Sequence, residues 1–159
     1  MYVLAKGGKI MKIAVGCDHA GFPLKDTVIK GLISMGHEVA DCGSYDLEPV
    51  DFPDIAKLVG HTILNGEAKR GILVCGTGVG ASIAANKIPG IRASLCHDIY
   101  TAHQCVEHDD VNVITIGAQI IGPLLALELI GKFLDAEFST EEEFRRRVNK
   151  LNEMDKRTV

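Results

Sequence analysis

GILVCGTGVGAS, residues 71–82, is the stretch on which the fold turns. Its first residues are apolar without alternation, the pattern of a strand covered on both faces. Glycines at 76, 78 and 80 follow at once, and VGASIAANK (79–87) reads as a short helix. A buried strand, a glycine turn and a helix form one βα unit of a parallel sheet. Working outward, the unit repeats. KIAVGCD (12–18) is a strand before PLKDTVIKGLISMG (23–36), a helix with proline at its start and glycine at its end. HEVADCG (37–43) precedes the helix DFPDIAKLVGHTILNG (51–66). IRASLC (91–96) precedes the helix HDIYTAHQCVEH (97–108), and VNVITIG (111–117) precedes the apolar helix PLLALELIGKFLDAEF (123–138). The expected class is α/β: a Rossmann-like three-layer α/β/α domain with a five-stranded parallel sheet over residues 12–138. An N-terminal extension (1–11) precedes it, with Met11 as a second candidate start. A C-terminal charged helix and tail (139–159) follow, packing on the domain or on a partner subunit.

The chain has 159 residues, enough for one domain with a continuous core, and its 47% apolar and 24% charged content excludes wholesale disorder. Seventeen Lys and Arg against 21 Asp and Glu leave a net charge of −4, which excludes a general polyanion binder. Aromatic residues make up 5%, too few for a base-stacking surface, so no nucleic-acid partner is expected. No apolar run approaches the roughly 18 to 20 residues of a membrane span. Cys17, Cys42, Cys75, Cys96 and Cys105 form no CxxC pair, and the first ten residues hold no secretory apolar segment. Reduced thiols in a cytoplasmic compartment are expected.

In such sheets ligands bind beyond the carboxyl ends of the strands. That rule selects Cys17-Asp18-His19, Ser44-Tyr45 and the loop from Cys75 to Gly80. Gly76, Gly78 and Gly80 let backbone amides converge, and the following helix offers its positive end to an anion. A dinucleotide fingerprint needs GxGxxG after the first strand; here the spacing is GxGxG after the third. A P-loop needs a closing Lys-Ser/Thr, which is absent. A cysteine-phosphatase loop needs arginine at the sixth position after the thiol, where Ala81 stands. What survives is a thiol at a strand end, beside a helix N-terminus that favours its thiolate. Such a group serves as nucleophile or base; the competing reading is one more buried core cysteine.

GCDHAG (16–21), CGTGVGASIAANKIPGIRA (75–93) and HDDVNV (108–113) together resemble the type B ribose-5-phosphate isomerases and the related galactose-6-phosphate isomerases, over about residues 12–153. The resemblance implies a Rossmann-like fold, no cofactor and no metal, a small phosphorylated sugar as substrate, and a homodimer or dimer of dimers with shared active sites. It implies aldose–ketose isomerisation through an enediolate, a reaction that needs a base over the carbon and donors at the oxygen. Cys75 would be the base, with Thr77 orienting the sugar or the thiol, and the amides of Gly76, Gly78 and Gly80 receiving the developing charge. A glutamate-using branch of the family is excluded by Ala81. His108 matches the ring-opening residue. Asp18 and His19 match the pair that contacts sugar hydroxyls, assists ring opening or binds phosphate, and Tyr45 would line the same pocket.

Three departures bear on the substrate. Asp109 stands where type B ribose-5-phosphate isomerases usually have asparagine, and Gln119 and Glu143 occupy positions of expected phosphate-binding arginines. Arg147 is kept, with Arg145 and Arg146 as candidate substitutes; i,i+4 pairing with Glu141 to Glu143 is the plainer role for all three. The carbon count is therefore open among ribose 5-phosphate, a tetrose phosphate and a hexose phosphate. A non-catalytic sugar-phosphate-binding subunit and a regulatory module are the rival readings. His97, His103, Cys105, His108, Asp109 and Asp110 invite a metal reading, but helical periodicity does not converge them.

Overall fold

The structure, a computed structural model, describes residues 9–156, so most of the expected N-terminal extension lies outside the described residues. Five strands, β1 (Lys12–Cys17), β2 (Glu38–Asp41), β3 (Arg70–Cys75), β4 (Ala93–Leu95) and β5 (Val113–Gly117), alternate with α1 (Phe22–Ser34), α2 (Phe52–Leu64), α3 (Val79–Ala85), α4 (Ile99–Asp109) and α5 (Pro123–Asp135), and α6 (Glu142–Met154) follows. All pairings are parallel, in the order β2-β1-β3-β5-β4. The expected α/β class and five-stranded sheet are those observed.

Strand alternation builds the three layers. Ile13, Val15, Ile72, Val74, Ile114 and Ile116 face one side, where Val28 and Leu32 of α1, Val106 of α4 and Leu129, Ile130 and Phe133 of α5 bury them. Ala14, Leu73 and Val113 face the other, under Ile55 and Val59 of α2 and Ala81 and Ala85 of α3. Both faces are dry, which explains why the strands read as unbroken apolar runs. Arg70 opens β3 and turns its guanidinium onto the carbonyl ends of α5: it donates to Phe133 O, to Leu134 O at 3.2 Å and to Ala136 O at 2.7 Å. A cation at the negative end of a helix satisfies carbonyls the helix leaves open.

Boundaries differ from expectation where caps and edges intervene. The fourth helix starts at Ile99, not His97, because Asp98 sits in extended conformation and its carboxylate accepts from Thr101 N at 2.7 Å. β4 shrinks to three residues because it is an edge strand, and Asn86 closes its free side with bonds to Ala93 N (2.9 Å) and Ala93 O (2.8 Å). α5 stops at Asp135 rather than running to Phe138, since Ala136 turns extended.

Strand order reverses direction between β1 and β3, so the loops after these two strands diverge and leave a crevice. Gly21 lets the β1–α1 turn cross the end of β3: a Cβ there would lie 2.0 Å from Val74 O. Gly21→Ala is therefore expected to destabilise the fold by about 1–3 kcal/mol. Gly131, inside α5 with open space around it, should accept alanine with a gain of about 0.5–1 kcal/mol. Urea midpoints of the two variants against the parent check both signs.

Candidate active site

Register places the chemistry. Cys17 of β1 pairs with Val74 of β3, so the next residue of each strand, Asp18 and Cys75, emerge side by side at the crevice. The Cys75 thiol donates to Asp18 Oδ2 at 2.8 Å, while Asp18 Oδ1 accepts from Gly21 N at 2.8 Å. Both side chains are nearly enclosed, at 9% and 6% exposure. Burial raises the thiol pKa above its ordinary value, and the hydrogen bond to Asp18 and its charge raise it further; the amides of Gly78 and Gly76 pull the other way. The sequence expectation of a favoured thiolate is thus corrected for the unliganded protein. A neighbouring carboxylate and desolvation outweigh two backbone dipoles, and α3 has only seven residues behind it.

The glycine loop wraps the thiol. Gly78 has a left-handed backbone (φ 81°) and lies so close to the sheet that a Cβ would meet Leu95 at 2.6 Å. The Phe52 ring covers Gly80, with a hypothetical Cβ 2.9 Å away, and the Gln119 amide lies against Gly76, 3.2 Å from such a Cβ. Neither ring nor amide was singled out as a contact of the loop from sequence; only the fold brings α2 and the end of β5 to it. Thr77 is exposed at the rim, its hydroxyl 3.4 Å from Val79 N.

His19 and Tyr45 stand at the same edge. His19 Nδ1 accepts from Val50 N at 3.3 Å, which ties the β1–α1 loop to the segment entering α2. Tyr45 is exposed, its hydroxyl donating to Asp41 O at 3.2 Å. Beneath it lies a residue that sequence reasoning missed. Lys25 of α1 is buried, bonded to Asp41 (2.5 Å) and Ser44 O (2.6 Å), with its ammonium 4.7 Å from the Tyr45 ring centre. A lysine on the inward face of an amphipathic helix was the available signal.

His108, Asp109 and Arg147 are elsewhere. α4 begins beyond the carboxyl end of β4 and runs back about 16 Å along the sheet, so its last turn reaches the opposite edge. There the Arg92 side chain, just before β4, donates to Asp109 O (3.1 Å) and Asp110 O (2.9 Å). His108 stacks on Phe144 of α6 with ring centres 4.0 Å apart, and its Nδ1 lies 2.8 Å from Gln104 Nε2. The Arg147 guanidinium also lies over the Phe144 ring, 5.6 Å from its centre, and pairs with Glu143 at 3.6 Å. Arg145 instead lies over Phe138, 5.0 Å from its ring centre. One chain thus carries two separated groups: Asp18, His19, Tyr45, Cys75, Thr77 and the glycines at one edge, His108, Asp109 and Arg147 at the other.

The metal reading dissolves in the same geometry. His97 accepts from Gly117 N, His103 pairs with Glu107 at 3.4 Å, and Cys105 is buried against Cys96. Among the described residues no three His, Cys, Asp or Glu side chains are grouped to hold a metal ion. No helix among them is long and apolar enough to cross a membrane.

The chain resembles known proteins in sequence and in fold. A family model described as Ribose/Galactose Isomerase matches residues 13–151. "Ribose-5-P isomerase B" of Listeria innocua is 46% identical over 129 residues, covering 81% of this chain and 87% of that protein. "D-erythrulose-4-phosphate isomerase" of Pectobacterium atrosepticum is 44% identical over 133 residues, covering 81% and 86%. The solved structure of Clostridium thermocellum ribose-5-phosphate isomerase B superposes with a TM-score of 0.89 at 43% identity, covering 92% of this chain and 98% of that one. The chain belongs to the ribose/galactose isomerase family, a family of sugar-phosphate isomerases.

Proposed function

We propose that this chain interconverts the aldose and ketose forms of a small phosphorylated sugar, with Cys75 as the carbon base. The observation that carries this reading is the buried Cys75–Asp18 pair beneath a loop of converging amides. In the resting site the proton sits on sulfur and points at Asp18. When substrate fills the crevice, Asp18 takes that proton and Cys75 becomes a thiolate. The thiolate removes the hydrogen on C2, the electron pair moves into the enediolate, and the amides of Gly76, Gly78 and Gly80 take up the charge on oxygen. Returning the carbon proton to C1, with the hydroxyl proton of O2 passing to O1, completes the isomerisation and leaves a thiolate, and Asp18 then gives its proton back to restore the thiol. A thiol with a raised pKa gives a stronger base once ionised, so the resting protonation and the catalytic role agree. Thr77 and His19 contact sugar hydroxyls or phosphate from the rim, Tyr45 walls the crevice, and no metal enters these steps.

His108, Asp109 and Arg147 complete the site from a second copy. Their place at the far edge of the sheet puts them out of reach of the Cys75 of their own chain. A homodimer with two shared sites resolves this, with His108 opening the sugar ring and Arg147 holding phosphate in the partner's crevice. For the carbon count, pentose and tetrose phosphates stand together, since similar relatives are named for each. Gln119 against the glycine loop and Glu143 beside Arg147 leave the anion fewer cations here than arginines at those positions would supply.

Four measurements test the reading. Comparative kcat/KM on four-, five- and six-carbon sugar phosphates, with C2 hydrogen exchange into solvent, should show isomerisation of at least one; no exchange with any of them would refute the enzyme reading. Cys75→Ala should lower kcat by about 10²–10⁴, and retention of parent activity refutes the base. Mixing inactive Cys75→Ala with inactive His108→Ala should restore about a quarter of parent activity through mixed dimers with one intact site. For the thiol, the sign follows from its neighbours: the Asp18 charge raises the Cys75 pKa, so Asp18→Asn removes that contribution and lowers it. The pH midpoint of iodoacetamide alkylation at Cys75 should therefore fall in Asp18→Asn.

A further inference from the structure

His97 makes an unusual bond. The buried strand end at Gly117 donates its N–H to His97 Nε2 at 2.9 Å. The β4–β5 ladder runs out just below, its last rung being Cys96 N to Thr115 O at 3.1 Å. The imidazole therefore adds one side-chain rung where the edge strand has ended. An accepting Nε2 places the ring proton on Nδ1 in the neutral form.

Gly117 is itself tied to the reacting loop on three sides. It is the register partner of Cys75. Ala118 N, next in the chain, donates to Cys75 O at 2.9 Å, and Gln119 N donates to Gly76 O at 3.0 Å. The face of Gly117 lies so close to Thr77 that a Cβ would come within 2.8 Å of the Thr77 carbonyl carbon and oxygen. A small outward shift of Gly117 would thus carry Cys75, Gly76 and Thr77 with it. We propose that His97 is a positioning residue for the proton transfer, its Nε2 lone pair fixing Gly117 and, through Gly117, the backbone of Cys75, Gly76 and Thr77. His97 acts only through that backbone and does not touch the sugar. The proposal rests on Cys75 as the base.

The test compares His97→Leu, which removes the acceptor, with His97→Gln, whose amide oxygen reaches about as far as Nε2. Steady-state kinetics on the best sugar phosphate should show kcat down roughly 10–100-fold in His97→Leu with KM within about threefold, because misplacement by about an ångström acts on the chemical step. His97→Gln should return kcat to within about threefold of the parent. A folded His97→Leu with parent kcat overturns the proposal, as does a folded His97→Gln as impaired as His97→Leu. Should His97→Leu fail to fold, ¹⁵N NMR of the unmodified protein decides: an unprotonated Nε2 coupled to the Gly117 amide is expected, and a protonated Nε2 overturns it. If Cys75→Ala is inactive while His97→Leu behaves as the parent, this proposal alone fails. If Cys75→Ala retains full activity, both fail.

Discussion

The parallel pairing of β1 with β3 is the interaction on which the rest depends. Its register sets Cys17 against Val74, so Asp18 and Cys75 leave the sheet as neighbours although 57 positions separate them in the chain. Because the strand order reverses between these two strands, the chain departs to opposite faces and leaves the pair in an open crevice. The absence of a side chain at Gly21 lets the β1–α1 turn fold over the Val74 carbonyl and bring its amide to Asp18. A one-residue slip would send Asp18 to a different neighbour and turn the apolar faces of β1 inside out, so packing and chemistry enforce the same register.

Electrostatic balance at that pair follows from geometry more than from residue type. A thiol at the start of a glycine loop reads as an activated nucleophile. Enclosed and 2.8 Å from a carboxylate, it is instead held protonated, with Asp18 as the acceptor waiting beside it. Two amide dipoles oppose the shift without cancelling it. In the proposed reaction such a site keeps its thiol as a resting acid and gains a strong base when a ligand redistributes the proton.

The sheet also explains why His108 and Arg147 lie apart from Cys75 in one chain. Helices of a βα unit return antiparallel to the strands, so anything in the last turn of α4 lies at the amino edge. His108 is anchored there by Phe144 and Gln104, and Arg147 by Phe144 and Glu143. No loop movement within a compact domain carries those groups around the sheet to Cys75. In the proposed dimer a two-fold axis does so instead.

By itself the sequence determined the layer architecture, because strands with two dry faces must be apolar throughout and prolines and glycines must bracket the helices. It also marked the loop from Cys75 to Gly80, since the left-handed backbone at position 78 favours glycine. Strand order, the meeting of Asp18 with Cys75, the burial of Lys25 under Tyr45 and the seat of Phe52 on Gly80 were decided by tertiary structure alone. So was His97: the sequence set it in a cluster resembling metal ligands, and the fold gave its ring nitrogen to the Gly117 amide. Local pattern reports how each segment is solvated, whereas partners distant in sequence are chosen by how the segments pack, and packing is a property of the whole chain.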